Sequence, residues 1–85
     1  MKKKKNIIEK RKIISFKSFP IYYNKEKLGL KKNTVRDTND WSNDRWQEYL
    51  LATHVKIELP GDPIEYFIRE ITDKTEYLDF AIISW

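Results

Sequence analysis

His54-Val55-Lys56-Ile57-Glu58-Leu59-Pro60-Gly61-Asp62-Pro63 is the stretch that decides how this chain folds. Val55, Ile57 and Leu59 alternate with His54, Lys56 and Glu58, the period of a strand with one buried and one solvated face. The next four residues place a Gly-Asp pair between two prolines, a composition suited to a tight reversal. A β-hairpin is therefore expected, its second arm within Ile64 to Thr72. Further downstream, Leu78 to Trp85 reads as another strand after a polar connection at Asp73 to Glu76. Upstream, Trp46, Tyr49 and Leu50 follow helical spacing and predict a helix over roughly Asn43 to Leu51. The polar residues before it, Asn39, Asp40, Ser42 and Asn43, suit a loop and a cap. Thr34 to Asp37 predicts a strand with Thr34 and Arg36 on one side. A first helix is expected from Pro20 to about Lys27, capped by Ser18 and stopped by Gly29. Lys12 to Phe16 is a strand candidate with Ile14 and Phe16 on one face.

The order is then β-α-β-α-β-β-β, an α+β, β-rich domain with two short helices. Five strands in so few residues favour a small closed or nearly closed β-barrel, because closure removes unpaired edges. An open α+β sandwich with the helices on one face is the alternative.

With 85 residues, the chain has enough apolar surface for one core. Twelve aromatic residues (three Trp, five Tyr, four Phe) supply much of it. The absence of cysteine removes disulfides, thiolate metal sites and cysteine nucleophiles. His54 is the only histidine, so neither a Ser-His-Asp triad nor a multi-histidine metal site can be assembled, and no metal or other cofactor is expected. No apolar run approaches membrane-spanning length and no signal-peptide pattern follows the first lysines, which predicts a cytoplasmic protein. The net charge of +4 is unevenly spread: residues 1–12 hold seven Lys or Arg against Glu9, leaving −2 for residues 13–85. Residues 1–11 are thus expected to be a basic flexible arm ahead of a domain spanning 12–85, either attracting polyanions without sequence preference or serving only as a solvated solubility tail.

Between the first helix and second strand stands Gly29-Leu30-Lys31-Lys32-Asn33-Thr34-Val35-Arg36, or G-x-K-x-x-T-x-R. A loop leaving a helix end brings backbone N–H groups and the Lys31 ammonium together, where an anion or carbonyl oxygen is favoured. Thr34 adds a hydroxyl and Arg36 a planar donor fork. The bland alternative is that both cations pair with Asp37, Glu70 or Glu76 and Thr34 merely suits a strand.

The octapeptide and its setting resemble the signature of ASCH domains, small barrels of the PUA-like fold, over about residues 12–85. That resemblance implies a basic cleft for RNA or a modified nucleoside or nucleotide. It also implies an alternative activity, amide hydrolysis on N-acetylated cytidine, with Lys31 and Thr34 as catalytic candidates. The glutamate those enzymes use lies in a longer insertion than this chain has, so Glu70, on the face of Ile68 and Tyr66, is the substitute considered. Among Tyr22, Tyr23, Trp41 and Trp46, Trp41 in the polar loop is the expected exposed base-stacking residue, and the acidic Asp40 and Asp44 nearby favour a base over a phosphate. A third reading is an accessory protein of a phage or mobile element that binds a host protein or nucleotide signal.

Overall fold

The structure is a computed structural model that describes residues 11–85. The basic arm predicted for residues 1–11 lies, except for the exposed Arg11, outside the described residues. The elements run β1 (Ile13–Lys17), α1 (Pro20–Lys27), β2 (Asn33–Asp37), α2 (Asn43–Leu51), β3 (His54–Leu59), β4 (Glu65–Glu70), β5 (Asp73–Tyr77) and β6 (Phe80–Ser84). They form two three-stranded sheets, ordered β1-β3-β4 and β2-β6-β5.

The quoted stretch does make an antiparallel hairpin, with Leu59 opposite Glu65 and His54 opposite Glu70. Its first strand also pairs in parallel with β1, setting Ile14 beside Val55 and Phe16 beside Ile57. This register stacks four apolar side chains on one face, all at most 7% exposed. Phe67 joins them from β4, while Ala81 and Ile83 enter from β6 in the second sheet. Burying each large aliphatic or aromatic side chain contributes about 1.5–3 kcal/mol. Tyr23 of α1 and Tyr49 of α2 cover this core. Tyr49 donates a hydrogen bond to Glu76, and burial together with that bond pushes its phenol well above its ordinary range.

The helices begin and end for local reasons. At α2, the Ser42 hydroxyl accepts from the Arg45 N–H at 3.1 Å, closing the first turn as an N-cap. α1 has Pro20 in its first turn, but its N-cap is Phe19 and no side chain caps it. Ser18, expected to do so, instead donates to Glu26 at 3.3 Å. At the other end Gly29 adopts φ +80°. The Leu30 N–H reaches back to the Lys25 carbonyl and the Gly29 N–H to Glu26, the pairing of a Schellman turn.

Two expectations need correction. The polar segment at Asp73 to Glu76 lies in a strand, not a connection, so there are six strands among the described residues. It lies at a sheet edge with mostly exposed side chains, and therefore lacks the apolar alternation that marks β3. Nor do the sheets close into a barrel among the described residues: β1 and β2 are both edge strands, with no ladder between them. On the opposite side the chain passes from β4 to β5 within two residues. There the Ile71 N–H bonds the Thr53 carbonyl of the first sheet's end, and the Thr72 N–H bonds Ser84 in the second. The molecule is thus a strand-rich α+β fold joined along one side and parted along the other.

Leu78 occupies the two-residue reversal between β5 and β6 at φ +53°, a backbone region that costs an L-residue about 1–2 kcal/mol. Its side chain is 80% exposed and contributes little packing. Leu78→Gly is expected to raise stability by about 0.5–1 kcal/mol, after allowing for the freer unfolded chain. Thermal denaturation followed by circular dichroism tests this, and a lowered midpoint would contradict the account of strain.

Candidate functional site

Along the parted side, a cleft of about 270 Å³ is bounded by Lys17 at the end of β1, Ser18 and Phe19 of the connection, Tyr22 and Glu26 of α1, Lys31, and Thr34 to Arg36 of β2. Alternation along β2 turns Thr34 and Arg36 inward and Val35 outward, as the sequence predicts. The three chemistry-bearing residues of the octapeptide therefore border one hollow.

Glu26 sits at the base of this hollow, 1% exposed. An uncompensated carboxylate there would be costly, and its two oxygens are accordingly bonded: Oε2 to the Lys31 ammonium at 3.0 Å and Oε1 to the Ser18 hydroxyl. Lys31 also donates to the Asn33 carbonyl at 2.6 Å. The Schellman turn makes this possible, since it reverses the chain and lets a residue five positions later reach back under the helix. Lys31 thus pairs with none of Asp37, Glu70 or Glu76.

Arg36 spans the gap between the sheets. Its Nε donates to the Thr34 hydroxyl at 2.8 Å, one terminal nitrogen donates to the Lys17 carbonyl at 2.7 Å, and the guanidinium lies 4.7 Å from the centre of the Phe16 ring. Burial pulls its pKa below the usual arginine range, the negative field of Glu26 opposes this and the nearby Arg45 reinforces it. Thr34, 2% exposed, uses an oxygen lone pair on Arg36 and keeps its hydroxyl proton for another acceptor. With Lys17, Lys31 and Arg36 against one carboxylate, the cleft carries a net positive lining.

Two expected residues lie elsewhere. Glu70 faces His54 at the far end of the first sheet, whereas the cleft lies at the end where Lys17 faces Glu58. It is exposed and borders a separate hollow with Thr53 and Thr72, so it cannot assist Lys31 in this conformation. Trp41 is not an exposed platform but is half-buried, its ring 4.9 Å from Trp46, 5.5 Å from Tyr49 and 6.1 Å from Phe16. An indole ring gains more by covering this aromatic cluster than by standing in water. Tyr23 is buried in the core and Trp46 packs against it, leaving Tyr22 at the cleft.

No family model, curated protein or solved structure matches the chain. No group of three or more His, Cys, Asp or Glu side chains able to hold a metal ion occurs among the described residues. Likewise, none of their helices is long and apolar enough to cross a membrane.

The sequence reading missed Glu26. One signal was available: Tyr23 and Glu26 are three apart on α1 and so share a helix face, and Tyr23 is the aromatic that faces the core. If the pair is what makes the burial of Glu26 tolerable, Lys31→Met should cost about 2–4 kcal/mol of stability, and adding Glu26→Gln should recover much of it. Urea denaturation of the single and double variants measures this. A Lys31→Met protein as stable as the parent would show that Glu26 is held by other means.

Proposed function

We propose that the cleft binds RNA or a modified nucleoside, in the manner of a small ASCH-like domain of the PUA-like fold. The observation that supports this most is the meeting of Lys31, Thr34 and Arg36 with a buried carboxylate around one hollow. A nucleotide presents a phosphate, sugar hydroxyls and a base edge with both donors and acceptors. Lys17 and Lys31 supply cations for the phosphate, and Thr34 supplies a hydroxyl for the sugar or base. Glu26 is an acceptor for a base N–H, a group that a purely basic surface would leave unpaired. The lysines at positions 2–5 would add salt-dependent affinity without sequence preference. Fluorescence anisotropy with single-stranded RNA, and calorimetry with nucleosides, should detect binding that weakens with salt. The Lys31→Met/Glu26→Gln double variant should bind at least about tenfold more weakly, given that charge-assisted hydrogen bonds contribute about 1.5–3 kcal/mol each. Undiminished binding by that variant removes the cleft from consideration.

One observation favours the second reading, amide hydrolysis on an acylated base such as N-acetylated cytidine. The Lys31 ammonium lies 3.0 Å from Glu26, and Thr34 borders the same cleft. In that reading Lys31 donates a hydrogen bond to the amide carbonyl as its oxygen gains negative charge. Glu26 accepts the proton of an attacking water, which adds to the carbonyl carbon, and passes it to the departing nitrogen as the C–N bond breaks, leaving acetate and cytidine. Glu26 would thus take the part first considered for Glu70. Incubation with acetylated cytidine followed by mass analysis should give cytidine and acetate, with Glu26→Gln inactive. Intact substrate at high protein concentration excludes the activity.

A further inference from the structure

The seam cleft is not the only hollow at this end of the molecule. A second groove, of about 420 Å³, is lined by Lys17, Ser18, Phe19, Pro20, Leu59 and Pro60. It shares Lys17, Ser18 and Phe19 with the cleft, so these three residues form a common wall. Phe19 is 73% exposed despite being a large aromatic, and it stands at the N-cap of α1 without capping the helix. Neither the core nor the helix end explains its exposure.

We propose that Phe19 is a wedge between two adjacent base sites, and that a single strand of at least two nucleotides is bound in preference to a free nucleoside. This rests on reading the seam cleft as a nucleotide site, and it extends that site across the shared wall. The chemistry of the second groove favours a base over a peptide. Apart from Lys17 and Ser18, its walls are an aromatic ring, two prolines and a leucine, which offer apolar faces and, in the prolines, no N–H. A peptide laid there would leave its own backbone groups unpaired, whereas a base offers a flat face and keeps its polar edge outward. Lys17 adds the second element. It is exposed, forms no ion pair among the described residues and belongs to both hollows, which is where the phosphate joining two successive nucleotides would pass. One cation at the shared wall and one ring dividing the bases match the repeat of a nucleic acid strand.

Calorimetry with a 5′-mononucleotide and the corresponding dinucleotide, each in ribo and deoxyribo form, tests the proposal. The dinucleotide should bind at least about tenfold more tightly than the mononucleotide, because stacking one additional base is worth roughly tenfold to a hundredfold. Phe19→Ala should bring the ratio close to one and Phe19→Trp should preserve it. Both substitutions are at an exposed position, so the core is untouched. A wild-type ratio of one overturns the two-site proposal, as does a ratio that survives Phe19→Ala. If the mononucleotide still binds and is lost in the Lys31→Met/Glu26→Gln variant, the single-cleft reading stands alone. If neither ligand binds, both readings fall. A preference between the two sugar forms identifies the strand as RNA or DNA.

Discussion

Among the described residues β1 has no neighbouring strand on its outer side, and the carbonyls of Ser15 and Lys17 take donors from side chains there. Two arginines meet this need. Arg45, from α2, donates to Ser15 at 2.6 Å, and Arg36, from β2, donates to Lys17 at 2.7 Å. Both guanidinium groups lie against the ring of Phe16, at 4.5 and 4.7 Å from its centre. A planar cation over an aromatic face gains electrostatic attraction while its in-plane N–H groups remain free to bond. The edge is therefore satisfied by side chains instead of by a strand, and the two sheets stay apart where β1 approaches β2. The opening of the cleft follows from that substitution.

The same requirement links stability to the site's chemistry. Glu26 is buried because α1 must lay Tyr23 on the core, and a residue three positions on follows it inward. Burial of a carboxylate obliges the chain to deliver a cation, and the Schellman turn at Gly29 brings Lys31 back to do so. An ion pair formed for structural reasons thereby places an acceptor and a donor side by side in a positively lined hollow. Arg36 has a comparable double use, since two of its nitrogens hold the fold together at the border of that hollow.

How much of this was legible in the sequence depended on whether the signal was local. The β3 alternation, the Pro-Gly-Asp-Pro reversal and both helix spans could be read directly, because each is set by neighbours within a few residues. β5 could not, since an exposed edge strand carries no apolar alternation. Glu70 was the wrong carboxylate for Lys31 because the β3–β4 register, a long-range property, places it at the opposite end of the sheet. The chain neighbours of Trp41 are polar, whereas its surroundings in the fold are Phe16, Trp46 and Tyr49.

By itself, the order of amino acids determined an α+β chain with two short helices, a glycine-terminated α1 and an octapeptide whose threonine and arginine share one strand face. Those features arise from backbone preferences and side-chain periodicity, which act over a handful of residues. Only the tertiary structure decided that the strands form two sheets parted at β1 and β2, that Glu26 is the partner of Lys31, and that Phe19 stands between two hollows. Each of these depends on which distant groups compete to satisfy a buried charge or an unpaired carbonyl, a competition settled only when the whole chain is packed.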